Sequence, residues 1–299
     1  MYKYRITVFT PTFNRAYILE KLYFSLKRQS FQNFEWLVVD DGSSDNTEQL
    51  INEWKREACF PIRYYKTENG GKHRAINRGL EYADGELFFT MDSDDELTAD
   101  ALTKIDTWFK SIECDHTFCG IVANKGITAT ETPNPIFKDQ YLDKTWLETY
   151  SYRENGKLML SGERAIIFYT DVHKKYTFPE FPGEKFLTEA VVYNRIARDG
   201  YKLRFFNDII WIYEYQDDGL TKAGSLNFIK NPKGYGLWVK EMAQICKYPF
   251  LKRIATYYSF MCDLMGMYSL NEIAQYLDVN IMAIRLLYGI HFLKKRTRR

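Results

Sequence analysis

The chain has 299 residues, of which 45% are hydrophobic, 17% aromatic and 27% charged, and its formal net charge is +2. That length supports one α/β domain with a sizeable core plus an extension, and no nucleic-acid partner is expected. The five cysteines, Cys59, Cys114, Cys119, Cys246 and Cys262, are odd in number and form no CxxC pair, which excludes a paired zinc or dithiol site and reads as reduced, mostly packing residues of a cytosolic protein.

The first apolar run, Tyr4 to Phe9, begins almost at once, with no charged-then-apolar leader before it, and nowhere do about 18 apolar residues follow one another. Neither secretion nor a membrane span is therefore expected. Residues 5–9 and 35–39 are short, apolar and bounded by turn residues, as buried parallel strands are. Between them Ile18, Leu19, Leu22, Tyr23 and Leu26 recur at helical spacing, predicting a right-handed βαβ unit. The pattern repeats. Asp45 with Glu48 reads as a capping pair opening a helix through Trp54, residues 62–65 as a strand, 74–83 as a helix stopped by Gly85, and 87–91 as a fourth strand.

Beyond Asp95 the periodicity predicts a helix over 99–109, a strand over 118–122, a loop over 128–135, a strand over 164–169, a helix over 185–198, and one long or two short strands over 203–215. From Leu226 the pattern is helical, which places a boundary near residue 225. The expected organisation is a domain of residues 1–225 followed by a helical extension, 226–299. Ile273, Leu277, Ile281, Ile284, Leu287 and Ile290 lie in that extension, and Lys294, Lys295, Arg296, Arg298 and Arg299 close it. Such a segment is suited to docking on an anionic membrane face, with packing against the rest of the protein as the alternative.

Each of the first four strands ends in a polar cluster, namely Thr10-Pro11-Thr12, Asp40-Asp41-Gly42-Ser43, Glu68-Asn69-Gly70-Gly71-Lys72 and Asp92-Ser93-Asp94-Asp95. Open α/β sheets bind ligands at that edge, where loop carboxylates and helix N-termini converge. Carboxylates projecting from Asp92-Ser93-Asp94-Asp95 suit a hard divalent cation that takes one or two of them together with diphosphate oxygens. An EF-hand is excluded, because its sixth and twelfth positions counted from Asp92 hold Leu97 and Thr103. Asp40 and Asp41 can accept hydrogen bonds from a base or ribose or can cap a helix, and Asn69 to Arg74 lets the backbone approach a nucleotide and offers cations for phosphate. Neither GxGxxG nor GxxxxGK[ST] occurs. The histidines His73, His116, His173 and His291 have no metal-ligand spacing, and the segment Glu214 to Thr221 reads either as a cover for a diphosphate or as a plain hairpin.

Together these motifs resemble the family 2 inverting glycosyltransferases of the GT-A fold, of the bacterial surface-polysaccharide type. The resemblance rests on Thr10 to Arg15, Val39 to Asp45, Asn69-Gly70-Gly71 with Ala75, Asn77, Gly79 and Leu80, and Asp92 to Asp95, in family order over about the first hundred residues. It implies an α/β, Rossmann-like, mostly parallel sheet flanked by helices, with the helical extension behind it. It also implies a nucleotide-sugar half to about residue 98 and an acceptor half over 99–225, with Thr10, Pro11, Asp41 or Asp40, and Lys72 around the base, Asp92 at the ribose, Asn69 and Ser93 as further nucleotide-sugar-binding residues, and Asp94 on Mn²⁺ or Mg²⁺, with Asp92 as a second metal candidate. The family's Glu-Asp pair is missing. Arg195 stands six residues after Glu189, which puts Glu189 at the position of the base, with Glu184 as the alternative.

The resulting expectation is a metal-dependent inverting transferase. It would move a sugar from a nucleotide donor, a UDP-sugar, to a glycan or lipid-linked acceptor in polysaccharide biosynthesis, in the cytoplasm or peripherally on the inner membrane face. The rivals are a non-catalytic sugar- or nucleotide-binding module and a nucleotidyltransferase.

Overall fold

The computed structural model describes residues 2–216 and 224–297, with side chains as far as Leu293. The chain divides into two compact units, Met1–Thr177 with Arg195–Asp217, and Phe178–Asn194 with Asp218–Arg299.

The first unit opens with β1 (Tyr4–Thr12), α1 (Glu20–Lys27), β2 (Phe34–Asp40), α2 (Thr47–Glu57), β3 (Ile62–Lys66), α3 (Lys72–Tyr82) and β4 (Gly85–Thr90). Then follow β5 (Glu96–Leu97), α4 (Ala101–Lys110), β6 (Phe118–Gly126), β7 (Tyr141–Lys144), the small hairpin β8 (Arg153–Glu154) and β9 (Lys157–Leu158), β10 (Arg164–Tyr169) and α5 (Thr170–His173). Helix α6 (Ala190–Arg198) starts in the second unit and ends in the first, where β11 (Lys202–Ile212) completes the sheet.

Nine strands form one sheet in the order β3-β2-β1-β4-β10-β6-β11-β5, with β7 on β11. β1, β2, β3 and β4 are mutually parallel, as are β6 and β11, while β10 pairs antiparallel with both β4 and β6. The expected mostly parallel α/β sheet is therefore present. Strand order turns back at β1, whose neighbours are β2 and β4, so the crevice outside its carboxyl end is the topological switch point.

All seven residues of β2 are buried, as a strand covered on both faces requires. Against it α1 sets Leu22, Tyr23 and Leu26. The Tyr23 ring stacks on Trp54 of α2 at 4.4 Å, and the Trp36 ring lies 6.2 Å from that of Tyr23. Full burial of such side chains contributes about 1.5–3 kcal/mol each, so this aromatic layer is a main tie between helices and sheet.

Several elements differ from expectation for identifiable reasons. Gly85 does not stop α3. It is the first residue of β4, where a Cβ would come within 2.2 Å of the Thr7 nitrogen, and its N–H donates to Thr7 Oγ1 at 2.8 Å. Asp45 forms no capping pair with Glu48. Its carboxylate accepts from Thr47 N at 3.1 Å, Thr47 Oγ1 at 2.6 Å and Ala16 N at 3.1 Å, tying the loop after β2 to the loop after β1. The helix expected over 185–198 begins only at Ala190, because the N–H groups of Lys185 and Phe186 are taken by Asn231 Oδ1 at 2.7 and 3.1 Å. Residues 203–215 yield the single strand β11. Of the cysteines, all free, Cys119 is buried but Cys59 and Cys114 are exposed, so packing does not account for those two.

In the second unit α7 (Ser225–Lys230), α8 (Pro232–Ile245), α9 (Phe250–Leu264), α10 (Leu270–Tyr276) and α11 (Ile281–Thr297) surround a core of Val239, Phe260, Leu264, Ile273, Leu277, Ile284 and Leu287. Ser269 and Glu272 close a capping box on α10. Four of the six apolar residues read as a docking stripe, Ile273, Leu277, Ile284 and Leu287, are thus core. Among the described residues no helix is long and apolar enough to cross a membrane.

Candidate active site

The register of the parallel strands brings the polar clusters to one edge. Thr12 pairs with Asp40 and Asp40 with Lys66, while Phe9 pairs with Thr90, so the residues after each strand emerge together. Thr10 itself points inward, its Oγ1 accepting from the Trp36 indole N–H at 3.0 Å. Thr10 and Pro11 are both buried. Thr12 Oγ1, two residues on, is buried with no hydrogen-bond partner at the switch point, a polar atom of the kind that a ligand satisfies.

The two aspartates after β2 differ. Asp40 is fully buried, and its carboxylate accepts from Ser43 N at 2.7 Å and from the Tyr64 hydroxyl at 2.6 Å. Asp41 reaches across to the loop before α3, accepting from Gly70 N and Gly71 N at 2.7 Å each and from Asn69 Nδ2 at 3.2 Å. The Asn69 amide also donates to the Asp41 carbonyl at 2.8 Å. Gly42 turns the chain at φ +84°, where a Cβ would meet Asn69 N at 2.9 Å, so the two loops close on each other only because that residue has no side chain. Asn14, at φ 52°, donates its N–H to Ser43 Oγ and accepts from Ser44 N, both at 2.8 Å. Three loops are thereby fixed as one rim.

Beside this rim a row of alternating charges follows the strand ends. Lys72, the first residue of α3, lies 2.7 Å from Asp92, Lys125 near the end of β6 lies 3.6 Å from the other Asp92 oxygen, and Glu163 lies 3.7 Å from Lys125. The Lys125 ammonium also sits 3.5 Å over the Trp211 ring, whose N–H donates to Asp95 at 2.7 Å. Burial by itself would raise the Asp92 carboxyl, but Lys72 and Lys125 outweigh it and hold the group down at about 2. Asp94 is displaced upward, first by burial and then by Asp92, with Arg15 opposing. Burial and Asp92 push Asp95 up to about 7.

This arrangement fits a hard divalent cation. Three carboxylates lie within four residues, and two are raised by desolvation and mutual repulsion that an added cation would relieve. Among the described residues no group of three or more His, Cys, Asp or Glu side chains could enclose a metal alone. Mg²⁺ or Mn²⁺ bound by one or two carboxylates and phosphate oxygens needs no such cage.

In the second unit Glu184 is buried, its oxygens accepting from Lys233 N at 2.8 Å and Gly234 N at 2.9 Å in the first turn of α8. It serves that helix N-terminus as an external cap. Glu189 is half-buried, one residue before α6, and its carbonyl accepts the first-turn bonds of Val192 and Tyr193. Of the segment Glu214 to Thr221, residues from Asp217 on lie outside the described residues; Glu214 pairs with Lys21 at 2.6 Å. Sequence reasoning missed Lys125, Glu163 and Trp211, and it quoted Thr12 and Asn14 within motifs without giving either a role. For Lys125 the available signal was its place, with Asn124, directly after the apolar run Ile121 to Ala123.

Residues 7–175 match the profile described as glycosyl transferase family 2. Over 234 residues, 77% of this chain and 72% of the relative, the sequence is 36% identical to a GalNAc(5)-diNAcBac-PP-undecaprenol beta-1,3-glucosyltransferase of Campylobacter jejuni. It is 28% identical over 147 residues to the poly(ribitol-phosphate) beta-N-acetylglucosaminyltransferase TarS of Staphylococcus aureus, 48% of this chain but only a quarter of that much longer protein. Residues 1–349 of TarS, solved in complex with UDP-GlcNAc, superimpose with a TM-score of 0.60 at 15% identity over 97% of this chain and 92% of that one. A mannosyltransferase of Pyrobaculum calidifontis, in complex with GDP-Man and Mn²⁺, gives 0.57 at 19% identity, covering 98% and 81%.

Proposed function

Because the chain belongs to glycosyl transferase family 2 and is a glycosyltransferase, we propose that it moves a sugar from a UDP-sugar to a glycan or lipid-linked acceptor. Transfer inverts the anomeric carbon, and the setting is cell-surface polysaccharide synthesis at the inner face of the membrane. The observation that carries this reading is the joined rim, in which Asp41 clamps the Asn69-Gly70-Gly71 loop beside the Lys72–Asp92–Lys125 row. A nucleotide laid along that edge would place its base over β2 and its ribose and diphosphate at β4.

In this mechanism the aspartate that reads the base is Asp41, which is joined to the Asn69-Gly70-Gly71 loop at the rim, whereas Asp40 turns to Ser43 and Tyr64. Asp92 and the buried Ser93 contact the ribose. Lys72 offers positive charge to the diphosphate, and Asp94 is the residue that would hold Mn²⁺ or Mg²⁺, with Asp92 beside it. When bound, the cation neutralises charge on the departing diphosphate. Glu189 takes the proton from the acceptor hydroxyl as that oxygen bonds to the anomeric carbon and the bond to the nucleoside diphosphate breaks. The commitment of Glu184 to the first turn of α8 favours Glu189 over it.

A second reading, a sugar- or nucleotide-binding module without turnover, draws on the missing Glu-Asp pair. Melting the protein with a panel of nucleotide sugars, with and without Mn²⁺, and assaying nucleoside diphosphate release separates the two. A ligand that binds only the native state raises the midpoint. UDP-sugar stabilisation with metal-dependent UDP release supports transfer. Stabilisation without release from any donor supports the module, and pyrophosphate release indicates a nucleotidyltransferase.

A further inference from the structure

Helix α11 is apolar on two opposite faces. Ile284 and Leu287 are buried in the core of the second unit. On the other side Met282, Leu286 and Leu293 are 63%, 68% and 65% exposed, and Gly289 lies among them with nothing within 4 Å of where a Cβ would stand. The spacing i, i+4, i+7, i+11 sets these four on one stripe, diametrically away from Ile284. A solvated helix face of an ordinary domain is polar, and this one is not.

Charge identifies the occupant. Residues 281–299 contain Arg285, Lys294, Lys295, Arg296, Arg298 and Arg299 and no aspartate or glutamate. The same unit begins α9 with Phe250 and Leu251, 66% and 78% exposed and followed directly by Lys252 and Arg253. Helices α9 and α11 are joined by the Tyr258 hydroxyl and His291 Nδ1 at 3.0 Å. Exposed apolar side chains beside basic residues on a helix anchored by its opposite face are the pattern of an element lying in the headgroup region of an anionic bilayer.

We propose that the stripe Met282, Leu286, Gly289 and Leu293 is the membrane-contact face of this protein, seated in an anionic leaflet that attracts the net positive charge of residues 281–299. This inference rests on the proposed inner-membrane setting and names the residues that meet the lipid. It differs from anchoring by the basic tail alone in requiring apolar insertion as well as charge.

The test uses the full chain and vesicles of equal parts phosphatidylcholine and phosphatidylglycerol, with pure phosphatidylcholine as control. Wild type is expected to co-sediment with the anionic vesicles, less at 1 M salt, where the Debye length is about 3 Å. The triple variant Met282→Ser, Leu286→Ser, Leu293→Ser should bind at least ~10-fold more weakly at low salt while keeping its melting temperature and its UDP release. The single exchange Leu286→Trp in an otherwise wild-type chain should give an indole emission that shifts to the blue on anionic vesicles only, measured as the difference from the unsubstituted protein. Undiminished binding of the triple variant, or an unshifted difference emission from vesicle-bound Leu286→Trp protein, would overturn the proposal. A concentration-dependent dimer that the triple variant abolishes, with no vesicle binding by wild type, would also overturn it and assign the stripe to a second copy of the chain. Loss of UDP release in wild type would instead count against the proposed catalysis, leaving vesicle binding to be judged separately.

Discussion

The Lys125 ammonium stands 3.6 Å from the Asp92 carboxylate, although thirty-three residues separate them in the chain. β4 and β6 are not neighbours, and β10 lies between them. Lys125 thus reaches Asp92 across the end of an antiparallel strand, held from below by Trp211. At this distance and an effective dielectric of 20 the attraction has a ceiling of about 4–5 kcal/mol, reduced here because Asp92 retains 29% side-chain exposure.

If Asp92 contacts the ribose as proposed, Lys125→Met should weaken donor binding by roughly tenfold, about 1.4 kcal/mol, because it leaves Asp92 held by Lys72 alone. Donor KM and kcat measured separately check this. An unchanged KM with a depressed kcat would show that Lys125 acts on the chemical step instead.

Asp94→Asn should abolish most of the Mn²⁺- or Mg²⁺-dependent activity while the protein still folds, because the half-buried side chain sits on a loop rather than in the core. Turnover titrated against metal is the measurement. Wild-type turnover with unaltered metal dependence would refute the assignment.

The two glutamates should fail in different ways. Glu189→Gln is expected to lower transfer by about 10²–10⁴-fold with donor binding intact. Glu184→Gln should instead cost about 1–2 kcal/mol of stability, since it removes the charge that caps α8. Melting curves alongside turnover distinguish these. If Glu184→Gln abolishes transfer at full stability and Glu189→Gln does not, the two roles must be exchanged.

His173 gives the protein an acid sensitivity unrelated to its chemistry. Both ring nitrogens are buried without partners, between Phe88 at 5.6 Å and Phe168 at 4.7 Å. Burial lowers the imidazole from 6.5 to about 3. Between these values the unfolded chain binds a proton that the folded one does not, so stability falls as pH drops below 6.5. His173→Leu should remove that slope, gaining about 2 kcal/mol relative to wild type on going from pH 7.5 to pH 5. Denaturant unfolding at both pH values would show it, and parallel losses in the two proteins would disprove it.

The α/β alternation, the existence of the four parallel strands β1 to β4 and the convergence of the aspartate and glycine clusters on one edge were legible in the sequence, while the ends of those strands shifted by one to three residues. Burial and pleat are written locally, in periods of two and 3.6 residues, and a strand end followed by polar residues has little choice of direction. Tertiary structure decided what each polar group touches. Asp40 and Asp41 are adjacent and chemically identical, yet one turns to Tyr64 and the other to Gly70 and Gly71. Glu184 has its partners about fifty residues away at the start of α8, which no local spacing announces. Likewise Ile284 and Met282 are equally apolar and two residues apart, and only the packing of α11 makes the first core and the second surface. Partners at such separations are set by strand order and helix docking, which depend on the free energy of the whole packed chain rather than on any window of it.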